Sequence, residues 1–409
     1  MERTTCCVVG GGPAGMVLGL LLARAGVEVT VLEKHGDFLR DFRGDTVHAS
    51  TLRLLDELGL GPAFAAIPHR LLTQMQVQTD GGTAPVADFG RVPGRHKHIA
   101  MVPQWDLLDL LADAAKAEPT FVLRMNTEVT GLVRDGGRVG GVRYRTADGA
   151  TGELHTNLVV ACDGRHSVVR AEAGLPSREF GVPLDVWWFR VPRHADDPEG
   201  GVARFGARHS VVMLDRGDYW QCAYLIFKGT DTRLRAEGIE PFRRQVGELL
   251  PWLAERMASV RSLDEVKLLD VRLDRLRKWF TDGLLCIGDA AHAMSPVGGV
   301  GINLAVQDAV AAARALAGPL RAGTVRQRDM ARIQLRRWLP TAVIQGIQRG
   351  IHRAFLSRAM AEERGAPAPG RLPLPVLAAR RFPVLQTIPA YLVGVGIIPE
   401  HAPSFARRP

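Results

Sequence analysis

Glycine clusters beside strand-end acids are where this sequence shows its chemistry. Gly10-Gly11-Gly12-Pro13-Ala14-Gly15 has the spacing G-x-G-x-x-G, and Glu33 follows 18 positions after the last of these glycines. Gly10 permits a tight turn, Gly12 lets the backbone approach a pyrophosphate, and Gly15 lets a helix pack closely on a strand. A helix amino terminus here offers unpaired N–H groups and partial positive charge to a diphosphate, while Glu33 accepts hydrogen bonds from ribose hydroxyls. That is dinucleotide chemistry, and the stretch alone leaves open which dinucleotide. A second cluster, Cys162-Asp163-Gly164-Arg165-His166-Ser167-Val168-Val169-Arg170, sets a carboxylate, backbone N–H groups and a guanidinium at one strand end. The third is Gly288-Asp289-Ala290-Ala291-His292, followed by Pro296, Gly298, Gly299, Gly301 and Asn303. There another strand-end acid meets a glycine loop and a helix amino terminus, a place to hold an anion or an electron-rich ring.

These groups need a frame. Residues 5–9 read as a buried strand, 16–25 as a helix and 27–32 as a second strand that delivers Glu33, a complete βαβ unit. A polar loop at 34–42 leads to Arg43, and a helix is expected from Thr46 with Gly59 as its stop. Strands are expected at 71–79 and 99–102, then a helix over 103–116. Short strands at 121–123, 129–133, 139–146 and 151–154 are separated by Asp135-Gly136-Gly137 and Asp148-Gly149, which is hairpin chemistry. A separate buried strand at 158–162 then rejoins the first sheet. Strands at 185–191, 210–214, 220–227 and 266–273, interrupted by a helix over 241–257, read as a second, β-rich domain inserted into the first. A buried strand at 284–287, a helix to about 317, helical sequence over 325–363, a Gly/Pro linker at 365–375 and an apolar tail to 398 complete the chain.

The 409 residues, 46% apolar and 23% charged, suffice for a large core in two domains with an appendage. A net charge of +9 can draw anionic ligands, but the charges are spread and no basic tract is interleaved with aromatics, so no nucleic-acid partner is expected. Cys6, Cys7, Cys162, Cys222 and Cys286 are odd in number and scattered, as in a reduced, cytoplasmic protein without a disulfide framework or metal site. The first strand begins at once, leaving no room for a signal peptide, and no membrane span is expected.

The three clusters together, in this order, resemble the p-hydroxybenzoate hydroxylase family of FAD-dependent, class A flavoprotein monooxygenases over about residues 4–318. The resemblance implies an α/β fold: a Rossmann-type FAD-binding domain (1–71, 101–176 and 281–318), an inserted β-rich substrate domain (72–100 and 177–280) and a helical C-terminal region (319–409). It implies non-covalent FAD, with Glu33 on the adenosine ribose, the loop Gly10, Gly12, Pro13, Ala14 and Gly15 on the pyrophosphate, and Asp289 on the ribityl chain. Pro296, Gly299, Gly301, Ile302 and Asn303 would line the pyrimidine side of the isoalloxazine. Arg43 and Gln104 look like additional FAD contacts, and Asp163-Gly164 would serve both FAD and a transient NADPH or NADH. The implied reaction is hydroxylation by O2 of an aromatic or similar electron-rich small molecule, phenolic or polycyclic, through a flavin C4a-hydroperoxide. It needs no metal and no protein nucleophile.

No catalytic side chain stands out, and the pocket candidates are His48, Trp220, Tyr224 and Pro296. His48 is expected on the helix after Arg43, either as a pocket residue or as an ordinary surface histidine. Trp220, Cys222 and Tyr224 share one face of a strand, and with Trp187, Phe189 and Met213 they either wall a pocket or fill the inserted sheet's core. Trp187-Trp188-Phe189-Arg190-Val191-Pro192 looks like a blurred W-x-W-x-I-P segment of flavin-dependent halogenases, which are fed by a separate reductase, and is read here as a sheet strand. An isoprenoid double-bond flavin reductase and a non-catalytic flavin-binding protein are the other rivals. The apolar tail is expected to pack on the body or cover the pocket mouth, with a membrane contact as its less favoured alternative.

Overall fold

The computed structural model describes residues 1–39, 46–198, 200–206, 209–363 and 374–409, with 358–363 described by backbone alone. Arg43 lies outside the described residues. Four buried strands, β1 (Glu2–Val9), β2 (Val29–Leu32), β11 (Thr151–Ala161) and β20 (Leu284–Cys286), run parallel with β8 (Phe121–Arg124) in the order β20-β11-β1-β2-β8. The short β19 (Phe280–Thr281) adds an antiparallel edge beside β20. Their near-continuous Val, Leu and Cys runs suit a sheet covered on both faces. Helix α1 (Pro13–Arg24) and α8 (Gly301–Arg321) pack together on it. The segment Val297–Arg321 is long and apolar enough to cross a membrane, but 78% of its apolar window is buried inside the protein, as a core helix.

β9 (Thr127–Asp135) and β10 (Arg138–Thr146) form the expected meander and join β11 antiparallel. Gly136 and Gly137 both have positive φ, 53° and 86°, which the tight turn between them requires. The two strands expected at 151–154 and 158–162 are one. Thr151 to His155 pair with β10 and Leu154 to Ala161 with β1, so the polar stretch His155-Thr156-Asn157 marks a change of partner, with Thr156 Oγ1 donating to Thr5 O across the sheet at 3.0 Å.

A seven-stranded sheet forms the separate β-rich part, in the order β17-β13-β16-β15-β14-β5-β6. Its strands are β5 (Gln74–Thr79), β6 (Gly82–Asp88), β13 (Leu184–Pro192), β14 (Gly201–Phe205), β15 (Ser210–Asp215), β16 (Tyr219–Phe227) and β17 (Lys267–Leu269). Neither β6 nor β14 was expected from the sequence. The expected strand at 266–273 shortens to β17, and β18 (Asp274–Leu276) pairs instead with β12 (Ser177–Glu179). On the outer face lies α7 (Ile239–Leu249), which ends well before residue 257 because Leu250 precedes Pro251 and leaves helical geometry at φ −135°, ψ 80°. The short α6 (Asp231–Ala236) precedes it.

A third sheet, β3 (Thr46–Val47), β7 (Ile99–Met101) and β4 (Arg70–Leu72), bridges the two parts. Thr46 is therefore a strand residue, and α2 (Ala49–Glu57) begins three residues later than expected. Helices α3 (Gly61–Ala66), α4 (Gln104–Lys116) and α5 (Val168–Glu172) complete the nucleotide side. The chain ends in α9 (Gln327–Glu363), α10 (Leu374–Arg381) and α11 (Thr387–Gly394), of which the last two lie against β6. The tail then runs back over α1 and α2: the Glu57 carboxylate accepts from Ala402 N–H at 2.6 Å, and Arg24 donates to Ala406 O at 2.9 Å.

Candidate active site

The first glycine loop is built to bring backbone close to something absent from the protein itself. Gly10 has φ +101°, and a Cβ there would lie 2.5 Å from Cys162 O. A Cβ on Gly15 would lie 2.0 Å from Gly10 O, so the helix sits on the turn with no room for a side chain. Gly12 differs: its φ is an ordinary −73°, yet a Cβ there would meet nothing within 4 Å. That open space lies before the amino terminus of α1, which has Pro13 at its start, buried Ala14 next, no side-chain cap and no acid in its first turn. The Glu33 carboxylate borders the space, accepting from Gly11 N–H at 2.8 Å and His35 N–H at 3.1 Å.

At the end of β11, Asp163 is half-buried, with a buried Oδ1 lacking any hydrogen-bond partner among the described residues, while Oδ2 accepts from Val169 N–H at 3.4 Å. Burial pushes its carboxyl above the ordinary aspartate value. A buried orphan acceptor calls for a donor from elsewhere, and Gly164, at φ +85°, leaves open space beside it. Ser167 caps α5, accepting from Arg170 N–H at 2.9 Å. The Arg170 guanidinium is a strut: it donates to Arg165 O at 2.8 Å and Ala290 O at 3.4 Å, joining the second cluster to the third.

The third cluster turns at Gly288, φ +58°, placing half-buried Asp289 just after β20. Its loop reverses at Gly298 and Gly299, both with positive φ, and enters α8 at Gly301. Ile302 packs partly on the core, and buried Asn303 accepts from Ser50 Oγ at 2.6 Å and Thr51 Oγ1 at 3.0 Å. Pro296 starts the loop and is half-buried. Gln104, also half-buried, is the first residue of α4, three positions beyond β7. The loop is held from behind by α9, whose Gln348 donates to Ser295 O at 2.9 Å and Val297 O at 2.8 Å.

His48 is neither on a helix surface nor exposed. It precedes α2 in extended geometry, fully buried, with Nδ1 2.7 Å from Val393 O and Nε2 3.0 Å from Gly299 O. Sequence reasoning missed its partner segment, because nothing local ties residue 393 to residue 48. It also missed Asp308, a fully buried acid on α8 that accepts from Gly288 N–H at 3.1 Å and contacts His292 at 2.5 Å and Arg337 at 2.9 Å. The i, i+4 pattern of α8 gives no hint of a charge inside the apolar helix.

Trp220, Cys222 and Tyr224 do share one face, with Trp187, Phe189 and Met213, but that face is filled by Phe242, Val246 and Leu253 from α7 and the turn after it. Trp220 Nε1 donates to Asp197 Oδ2 at 2.8 Å, and Tyr224 Oη bonds His209 and Gln245. These residues are core of the inserted sheet, and the tryptophan-rich segment 187–192 is strand β13 within it. A cavity of about 470 Å³ lies elsewhere, between the bridging sheet and β15, with Leu72, Met101 and Leu214 as apolar lining and His69, Arg70, Arg193 and Asp215 at its polar side. Met101 pairs with Thr46, whose Oγ1 donates to Gly299 O at 3.1 Å, so the cleft lies one strand from the glycine loop of the third cluster.

A family model described as an FAD binding domain matches residues 3–332. The chain is similar to 6-methylpretetramide 4-monooxygenase of Streptomyces rimosus, 34% identical over 338 residues covering 82% of this chain and 80% of that protein. It is 30% identical over 325 residues to the 12-dehydrotetracycline 5-monooxygenase/anhydrotetracycline 6-monooxygenase of Streptomyces rimosus subsp. rimosus, covering 75% of this chain and 61% of that longer protein. In fold it is similar to PqsL of Pseudomonas aeruginosa, with a TM-score of 0.74 at 22% identity over 87% of this chain and 98% of that one. Open space before an uncapped helix amino terminus, a strand-end carboxylate with an unpartnered oxygen and a glycine loop at a helix start suit an FAD site, and with these matches the chain belongs to the FAD-binding-domain family of FAD-dependent aromatic monooxygenases.

Proposed function

We propose that the protein takes hydride from NADPH or NADH and hydroxylates an extended, polycyclic aromatic substrate of the polyketide type. The observation that carries this reading is the cavity one strand from Gly299, lined by Leu72, Met101 and Leu214 on one side and by His69, Arg70, Arg193 and Asp215 on the other, in a chain whose 34%-identical relative is a 6-methylpretetramide monooxygenase. FAD, when bound, supplies the redox chemistry, passing the nicotinamide's electrons to O2 so that one oxygen atom joins the ring and the other leaves as water.

This chain's residues bind, orient and exclude water. The loop from Gly10 to Gly15 and the start of α1 hold the diphosphate, Glu33 faces the adenosine ribose, and Asp289 holds the ribityl chain. Asp163 offers its unpartnered Oδ1 to a donor of the cofactor side. Backbone between Pro296 and Asn303 would support the flavin ring, and Leu72, Met101 and Leu214 would give the substrate's ring apolar contact while His69, Arg70 and Arg193 face its polar groups. His48 and Gln348 fix that backbone from two sides.

The test is anaerobic titration of the purified holoprotein with NADPH and then NADH, alone and with polycyclic phenols, following the oxidised flavin bands. Bleaching by one nucleotide, accelerated by a polycyclic phenol that is hydroxylated once oxygen is admitted, is expected. If neither nucleotide reduces the flavin in any of these mixtures, the reading fails in favour of an enzyme fed by a separate reductase.

A further inference from the structure

Among the described residues, one face of α9 has no protein against it. Leu335, Leu339, Val343, Ile347 and Ile351 follow one another at four-residue steps and all are exposed, Leu335 by 80%, with Trp338 and Leu356 exposed beside them. Such a row forms a ridge on a helix, here about 24 Å long at 1.5 Å per residue. Gly346 and Gly350 add no bulk beside it, and a Cβ on either would meet nothing within 4 Å. The other side of the helix is fully used, with Ile333, Arg337, Ile344 and Gln348 buried.

A second exposed apolar set lies on the C-terminal elements. Leu374, Leu377, Phe382, Val384, Leu385 and Ile388 are exposed along α10, α11 and the turn between them. Val393 of α11 packs against the buried cluster that contains Ile344 of α9, so α11 reaches the buried side of α9. Exposed apolar surface of the extent of the α9 ridge marks an interaction site.

Charge says what it meets. From residue 330 to 361 and from 374 to 399 the sequence contains no Asp or Glu, while Arg349, Arg353, Arg380 and Arg381 stand among the apolar residues; Arg332 and Arg336 stand there too but are already paired with Asp329 and Glu400. A second copy laid on this face would oppose guanidinium to guanidinium with no carboxylate from these segments between them. An anionic bilayer offers phosphate to the arginines and acyl chains to the ridge.

We propose that the α9 ridge docks the protein on the surface of an anionic membrane. The contact is monotopic: the ridge lies on the lipid while the buried side of α9 keeps its hold on Ser295 and Val297 of the flavin loop. That places the loop about one helix diameter, 10–12 Å, from the lipid.

The experiment is flotation of the FAD-loaded full chain with vesicles of phosphatidylglycerol and phosphatidylcholine in equal parts, against phosphatidylcholine alone, with light scattering of the protein without lipid. Expected are binding to the mixed vesicles only, and a loss of about tenfold or more in bound fraction for Val343→Glu/Ile347→Glu with an unchanged flavin spectrum. Leu268→Glu, at an exposed leucine on β17, should float like the parent. Absence of parent binding, or equal binding to both vesicle types, overturns the proposal. So does a lipid-free dimer that Val343→Glu/Ile347→Glu turns into monomer, which would make the ridge a contact between copies.

Discussion

His48 stands between two carbonyl oxygens, Gly299 O at 3.0 Å from Nε2 and Val393 O at 2.7 Å from Nδ1, so one imidazole lies between the glycine loop of the third cluster and the C-terminal helix α11. A neutral imidazole has one N–H and can donate to only one of them. Burial nevertheless holds the His48 pKa below the ordinary value of 6.5, against the pull of both carbonyls.

That balance fixes the sign of a pH effect. A histidine whose folded pKa is depressed leaves the folded chain with fewer bound protons than the unfolded one, so its contribution is full above the unfolded value and fades as pH falls through the folded one. His352, buried against Ser295 Oγ at 2.9 Å, is shifted the same way by burial. The thermal midpoint should therefore fall between neutral pH and about 5.5. His48→Gln should be less stable at neutral pH and show a shallower fall. Calorimetry of both proteins at matched ionic strength decides it, and parallel curves would remove His48 from the account.

Gly12 and Gly15 should separate binding from folding. Gly12→Val puts a side chain into open space at an allowed φ, so apoprotein stability should change by no more than about 0.5 kcal/mol, while FAD affinity drops at least about tenfold. Gly15→Ala drives a Cβ into Gly10 O and should cost about 1–3 kcal/mol or more before any ligand is added. Apoprotein melting and FAD titration by fluorescence, run side by side, read the two effects. Equal loss of stability in both variants would contradict the geometry.

What the sequence made legible was whatever is local. Gly10 to Glu33 declares a strand, a turn, a helix and an acid within one βαβ unit, and each residue's reason lies within a few positions of it. The faces of β16 were half legible: alternation correctly puts Trp220 and Tyr224 together, but parity cannot tell the face under α7 from the face toward the cleft. The path of residues 393–402 was illegible, since its partners His48 and Glu57 are reached only through tertiary packing. Asp308 was hidden for the same reason, its partners lying on two other segments.

The two faces of the inserted sheet make opposite predictions. Leu214→Trp fills the cleft, so hydroxylation of a bulky substrate should fall steeply while fold and FAD content persist. Trp220→Phe deletes the hydrogen bond to Asp197 and should cost about 1–2 kcal/mol of stability without moving KM or product identity. Product analysis and melting curves for both variants check this. A changed product profile in Trp220→Phe would bring the outer face back into the site.

Arg337 is the residue on which the C-terminal region turns. Fully buried on α9, it donates to Asp308 Oδ1 at 2.9 Å, to Gln307 Oε1 at 3.2 Å and to Ile398 O at 3.0 Å, joining α8, α9 and the tail. Burial alone would raise the Asp308 carboxyl, but His292 and Arg337 outweigh it and hold it below the ordinary value. Removing the guanidinium by Arg337→Leu leaves a buried carboxylate with only His292 as a charge partner, a change worth about 3–5 kcal/mol. Because Asp308 Oδ2 also accepts from Gly288 N–H, the loss should reach the turn carrying Asp289 and weaken FAD binding. Adding Asp308→Asn removes the stranded charge and should recover part of the stability. The tail, having lost the bond at Ile398, should remain easier to cleave. Melting, FAD titration and limited proteolysis of the single and double variants measure these separately. A double variant no more stable than the single one would show that loss of packing, and not the stranded charge, sets the cost.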